Sequence, residues 1–203
     1  KPNSSIQYEF FHKKKALRAS ADEVQAKNLI IWSNFQHIAS IDAGVATIAL
    51  NRPEVLNAFD FRMLREIARA CEDASWDDDV RVVVVTGEGR AFCVGADLRS
   101  WEDTLVGRPQ EYWKWFGAFK DMHDRLRELG KPTIARINGI AVGGGNELQM
   151  ACDLAVMVDD GFIRHVGLEH GSVPAGGATQ WLQLMVGDRR AREIVLLCDE
   201  IPA

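Results

Sequence analysis

Asn138-Gly139-Ile140-Ala141-Val142-Gly143-Gly144-Gly145-Asn146-Glu147-Leu148 decides how this chain is read. An apolar run at 133–137 precedes it, and another follows at 153–158. The 138–145 segment reads as a turn of high glycine density, and Asn146 opens a helix. Glycine lets a ligand approach the backbone and lets amides point into a site. A strand, then glycines, then a helix start sets free N–H groups and the positive end of a helix at one spot. Such a spot suits a phosphate, a carboxylate or a developing oxyanion. The dinucleotide fingerprint does not fit, because its third glycine, counted from Gly143, falls on Leu148. No phosphate-loop Gly-Lys-Ser/Thr is present either. An oxyanion hole is the better physical reading. The structural alternative is that the glycines serve tight crossings between layers.

Outward from this stretch, the chain alternates strands and helices. Residues 45–50 read as a strand stopped by Asn51-Arg52-Pro53, since proline cannot donate to a ladder. Asp60 caps a helix whose Leu64, Ile67, Ala68 and Cys71 recur on one face, and the Asp77-Asp78-Asp79 run ends it. Val82-Val83-Val84-Val85 reads as a strand covered on both faces. A glycine-punctuated loop follows from Gly87 to Leu98. Pro109 opens a long helix, which Gly130 and Pro132 close. The 153–158 run is expected to be a buried strand. A second glycine cluster, 171–177, leads into a helix from about Thr179, and 188–197 forms the last helix. The class is α/β. Residues 1–40 read as an N-terminal extension, with a short helix at 19–27 and an apolar patch at 32–35. Residues 41–203 read as one domain.

The 203 residues hold 24 Lys and Arg against 29 Asp and Glu, a formal net charge of -5. A mild negative charge argues against nucleic-acid binding, which needs a basic face. No run approaches the roughly 18 apolar residues of a membrane span. Cys71, Cys93, Cys152 and Cys198 are widely spaced without a C-x-x-C pair. They read as reduced core thiols in a reducing compartment, neither a disulfide framework nor a zinc site. No metal ligation is expected, and a cytoplasmic location is, or the mitochondrial matrix in a eukaryote. The chain starts at Lys1, and no leader peptide is visible in it.

Glu147 is the sharpest single residue. In the first turn after three glycines it is either a helix-dipole or capping partner, or a general acid/base beside the amides that hold a substrate.

Further segments join it in order. They are Asn51-Arg52-Pro53 with Leu56-Asn57-Ala58, Val82 to Gly87, and Ala91-Phe92-Cys93-Val94-Gly95-Ala96-Asp97-Leu98. Lys131-Pro132-Thr133-Ile134-Ala135, Ala151-Cys152-Asp153 and Pro174 to Gln180 continue the series. Together they cover about 43–201, and this pattern resembles the enoyl-CoA hydratase/isomerase, or crotonase, family.

The resemblance implies a spiral of ββα units around a pocket for a coenzyme A thioester. It implies that the Ala96 and Gly144 amides form the oxyanion hole and that Glu147 is catalytic. Ala58, Gly95, Asp97, Leu98, Gly143, Gly167 and Pro174 follow as substrate or CoA-binding positions. No separate cofactor is implied, because coenzyme A arrives with the substrate. A trimer or dimer of trimers is expected, built by C-terminal helices that this sequence, ending at Ala203, does not include.

The sequence departs from the hydratase pattern at the second glutamate, whose position counted back from Pro174 is Gly167. Glu169 lies two residues later. It would reach the pocket only with a different local backbone, and otherwise forms a surface salt bridge. His165 and His170 are further candidates to assist, with structural roles as the alternative. The aromatic 101–119 segment, with Trp101, Trp113 and Trp115, suits a wall for a bulky or cyclic acyl group, or a helix–helix contact. The leading expectation is a lyase that reversibly hydrates an enoyl-CoA. The alternatives are a C–C hydrolase or isomerase acting on a cyclic or β-keto acyl-CoA, and a non-catalytic binding subunit.

Overall fold

A computed structural model of the chain describes residues 29–30 and 37–203, with side chains from residue 41 onward. The expected 19–27 helix and the 32–35 patch lie outside these residues. Among the described residues, ten strands form two sheets. The larger has the order β1-β2-β3-β4-β6-β8, where β1 is Leu29–Ile30, β2 His37–Asp42, β3 Val45–Leu50, β4 Val82–Gly87, β6 Thr133–Ile137 and β8 Leu154–Met157. Strands β1 to β3 are antiparallel, and β3, β4, β6 and β8 run parallel. The boundary expected at 40/41 therefore falls inside β2, which pairs with β3 from His37↔Leu50 to Asp42↔Val45.

The smaller sheet has the order β10-β9-β7-β5, made of β5 Ala91–Cys93, β7 Ile140–Val142, β9 Phe162–Arg164 and β10 Ile201–Pro202. Its strands are two or three residues long, and β5 and β7 sit in segments that read as a loop and a turn. The 138–145 turn thus contains β7, and the 87–98 loop contains β5. Each parallel strand of the large sheet from β4 onward is followed by one of the small sheet: β4–β5, β6–β7 and β8–β9. This is the expected ββα spiral.

Among the described residues there are six α-helices: α1 Phe61–Trp76, α2 Leu98–Thr104, α3 Pro109–Arg127, α4 Gly144–Met150, α5 Gln183–Val186 and α6 Asp188–Leu197. Asp60 caps α1 by accepting the Met63 N–H at 2.7 Å. Pro109 opens α3, where its missing N–H removes a donor that would be orphaned anyway. The inward stripes of α1 (Met63, Leu64, Ile67, Cys71) and α3 (Trp115, Phe119, Met122, Leu126) join Val83, Val85, Phe92 and Leu148 in the main core. The segment after Gly177 begins as a π turn, Ala178–Leu182, before α5.

Two side chains lock the strand ends. Asp153 Oδ2 accepts both the backbone N–H and the hydroxyl of Thr133 at 2.8 Å, fixing the starts of β6 and β8. Asn57, at φ +58°, donates to the Glu88 and Ala91 carbonyls at 2.9 Å.

One expectation is corrected. The 153–158 run is not buried: Leu154 is 62% and Val156 56% exposed. Strand β8 is the edge of its sheet, and no described element covers that face. Apolar patterning reports what a strand would bury, not whether a neighbour is there to bury it.

Candidate active site

The glycine junctions of β5 and β7 converge. Gly95 has φ +87°, and a Cβ there would lie 2.8 Å from the Gly144 nitrogen. A Cβ on Gly145 would lie 2.0 Å from the Cys93 carbonyl oxygen, so α4 starts hard against β5. The glycines therefore do serve a layer crossing, and the same crossing brings two amides together. Phe59 N–H donates to Gly95 O at 2.7 Å, and Asp97 N–H donates to Phe59 O at 2.9 Å. This parallel bridge straddles Ala96 and turns its own N–H to the other side. Gly144 is the first residue of α4, where an N–H has no intrahelical acceptor. Among the described residues, neither N–H has a protein acceptor.

Glu147 lies one turn into α4 and is 4% exposed. Its Oε1 accepts the Gly176 N–H at 2.7 Å and the Ala178 N–H at 3.1 Å. Burial pushes its carboxyl above the usual range, against the pull of the amides of Ala178, Gly176 and Ala175. Desolvation wins, so the neutral acid persists to higher pH than on the surface. Trp181 seats the turn that carries these amides, because the Arg127 guanidinium stacks 3.8 Å over its ring.

The other expected positions divide. The Ala58 carbonyl accepts from Arg52 Nη1 at 2.6 Å. Asp97 is held by Arg52 Nη2 at 3.0 Å and caps α2 through the Ser100 N–H. Its carboxylate thus anchors the backbone around Ala96. Leu98 opens α2 and is 54% exposed. Gly143 is the N-cap residue of α4, and its N–H donates to Arg164 O at 2.9 Å. The Gly167 carbonyl accepts the His170 and Ser172 N–H groups. Pro174 is half-buried two residues before Gly176.

Glu169 does not join Glu147. It is exposed on a single 3₁₀ turn, Leu168–His170, and its Oε1 pairs with Arg164 Nη2 at 2.6 Å. Its placement corrects the idea that it replaces the second glutamate: the guanidinium draws it along the surface. His170 is exposed beside it. His165 is buried, and its Nε2 lies 2.9 Å from Asn146 Nδ2. Of the tryptophans, Trp101 and Trp115 meet edge to face at 5.0 Å, and Trp115 stacks on Phe119 at 5.2 Å. Trp113 is 74% exposed and takes no part. Burial pushes the Cys71, Cys93 and Cys152 thiols up to about 12, so none is a nucleophile at neutral pH.

Sequence reasoning passed over His123. It is 2% exposed on α3, with its ring 4.5 Å from that of Phe119. Its Nδ1 lies 2.8 Å from the Phe119 carbonyl oxygen, and its Nε2 has no hydrogen-bond partner among the described residues. The signal was legible: His123 falls within the inward stripe of Trp115, Phe119, Met122 and Leu126.

Comparison with known proteins agrees with this architecture. The chain is 37% identical over 171 residues to a 6-oxocyclohex-1-ene-1-carbonyl-CoA hydrolase of Geobacter metallireducens, covering 83% of this chain and 45% of that protein. It is 36% identical to the enzyme of the same name from Thauera aromatica, over 77% of this chain and 42% of that protein. The chain thus spans less than half the length of these curated relatives. The crystal structure of an enoyl-CoA hydratase from Bacillus anthracis superposes with a TM-score of 0.79 at 29% identity, covering 83% of this chain and 65% of that one. Residues 40–203 match the family described as enoyl-CoA hydratase/isomerase. The two-sheet spiral, the glycine crossing and this match agree that the chain belongs to the enoyl-CoA hydratase/isomerase family.

Proposed function

We propose that this protein adds water to a cyclic acyl-CoA thioester and opens its ring by hydrolysis of a carbon–carbon bond. The observation that carries the reading is the buried Glu147, held by the Gly176 and Ala178 amides at the crossing where Gly95 and Gly144 meet. The named activity of the 37% identical relative supports the cyclic substrate class.

The N–H groups of Ala96 and Gly144 hold the thioester oxygen. They stabilise the enolate, and losing one such donor typically costs about 2.7–4 kcal/mol. In a ring with a double bond beside the thioester, water adds its oxygen to the β-carbon, and Glu147 supplies the proton to the α-carbon. In a ring with a ketone β to the thioester, water attacks the ketone carbon. The bond from that carbon to the α-carbon then breaks. Its electron pair becomes the same enolate, which takes a proton at the α-carbon, and the ketone carbon leaves as a carboxylic acid. Each step consumes one water, and both place charge on one oxygen. Trp101, Trp115 and Phe119 suit a wall against a ring. Coenzyme A enters as part of the substrate.

The test is to incubate the purified protein with 6-oxocyclohex-1-ene-1-carbonyl-CoA and, separately, with crotonyl-CoA. A product heavier by two waters from the ring substrate is expected, with slower hydration of the linear one. Hydration without ring opening would reduce the reading to a lyase. Binding without conversion of either would point to a non-catalytic subunit.

A further inference from the structure

We propose that His123 Nε2 and Glu147 Oε2 together hold the attacking water, with His123 as the catalytic base that takes its proton. The proposal rests on the acyl-CoA reading above and supplies the group that reading lacks, since Gly167 occupies the second-glutamate position and Glu169 is tied to Arg164.

The tautomer follows from the partners. A carbonyl only accepts, so His123 Nδ1 carries the hydrogen donated to Phe119 O at 2.8 Å. In the neutral ring Nε2 is then a bare lone pair, buried and without a partner among the described residues. His165 makes the contrast: its Nε2 meets the Asn146 amide at 2.9 Å, as a structural histidine should. On Glu147, Oε1 is taken by two backbone amides.

Nε2 and Oε2 flank one point. A Cβ built on Gly176 would lie 2.8 Å from His123 Nε2 and 2.9 Å from Glu147 Oε2. The two atoms therefore lie within about 5.7 Å of each other, near enough for one water to touch both. The pair adjoins the Gly144 amide, because the Phe119 ring that packs on His123 lies 3.2 Å from where a Gly144 Cβ would be. A water that touches both donates a hydrogen to Nε2 and is oriented by the Glu147 carboxyl, which is how a nucleophilic water is aimed.

The step balances. The water oxygen bonds to the electrophilic carbon, and its proton passes to His123 Nε2. The electron pair displaced from carbon moves to the thioester oxygen. Glu147 gives its proton to the α-carbon. The His123 proton then returns to Glu147 Oε2 through the next water, restoring both groups with one water consumed.

His123→Asn tests this, since an Asn amide keeps a donor for Phe119 O and removes Nε2. Three quantities are read: water-consuming turnover, acyl-CoA affinity, and exchange of the α-hydrogen of butyryl-CoA in D2O. The exchange needs Glu147 and the two amides but no attacking water. Turnover should fall 100-fold or more, with affinity and exchange within threefold of the unaltered protein. Glu147→Gln should lose turnover and exchange together. Turnover of His123→Asn within threefold would overturn the proposal, as would loss of exchange along with turnover. If the unaltered protein binds acyl-CoA without exchanging it, Glu147 loses its role and His123 its partner. If it does not bind acyl-CoA, the underlying reading falls. Should His123→Asn show no cooperative thermal unfolding, His123→Gln takes its place. Its amide oxygen accepts from water but takes no proton, so the same loss is expected and unchanged turnover overturns the proposal.

Discussion

Glu147 and Glu169 sit 22 residues apart near two glycine-rich turns, and the fold treats them in opposite ways. Glu147 is drawn inward, where two backbone amides of the 176–178 turn take one oxygen and protein surrounds the rest. Glu169 is drawn outward to an arginine in water. Burial raises the carboxyl of the first, so it keeps its proton to higher pH than a carboxyl in water. The second keeps solvent on its charge. A carboxylate becomes a candidate acid/base through what the neighbouring turn supplies, not through its own place in a motif.

The comparison can be broken most directly by exchanging each charge for an amide. Glu147→Gln should lower turnover on acyl-CoA substrates by about 10²–10⁴-fold, with affinity kept, measured by steady-state rates and calorimetry. Turnover near that of the unaltered protein would remove the distinction between the two residues.

Next in size is the effect of pH on stability. Burial lowers His123 and His165 from 6.5 to about 4, so the folded state binds fewer protons than the unfolded chain. Stability is present above about 6.5 and is lost as pH falls toward about 4. At a full shift each buried histidine contributes on the order of 3 kcal/mol. Urea unfolding at pH 7 and at pH 5 should show the loss, and His165→Asn should flatten the slope. Glu147 acts in the opposite direction. Its raised carboxyl favours the fold at low pH, and that contribution fades as pH rises through its folded value. Relative to Glu147→Gln, the unaltered protein should therefore lose stability as pH rises through the carboxyl range.

Trp181→Ala sharpens the comparison by loosening the turn that holds Glu147. The Arg127 stack over Trp181 is worth about 0.5–2 kcal/mol. A lower melting temperature and reduced turnover are expected, since the amides of Gly176 and Ala178 would no longer be fixed. Reduced stability with unchanged turnover would show that the turn holds without it.

The smallest effect is expected at Glu169→Gln. Removing an exposed ion pair should change stability by less than about 1 kcal/mol and turnover by less than twofold. A loss approaching that of Glu147→Gln would return Glu169 to the active site.

The sequence by itself determined the long elements. Asp60, Pro109 and the spaced apolar faces of α1 and α3 act within one or two helical turns, and the valine run of β4 needs only its own side chains. The order of glycine-rich segments was also legible, and the structure brings two of them together where Gly95 meets Gly144. Only the tertiary structure decided the small sheet, because strands of two or three residues carry almost no periodicity and exist through their partners across the sheet. It decided the exposure of β8, which depends on whether a neighbour lies over that face. It separated Glu169 from Glu147, because an arginine five residues away competes for the charge. It also found His123, whose Nε2 has no partner among the described residues and lies beside Gly176 and Glu147, 53 and 24 residues distant in the chain. Local chemistry sets what a residue is able to do, and long-range packing sets what it faces.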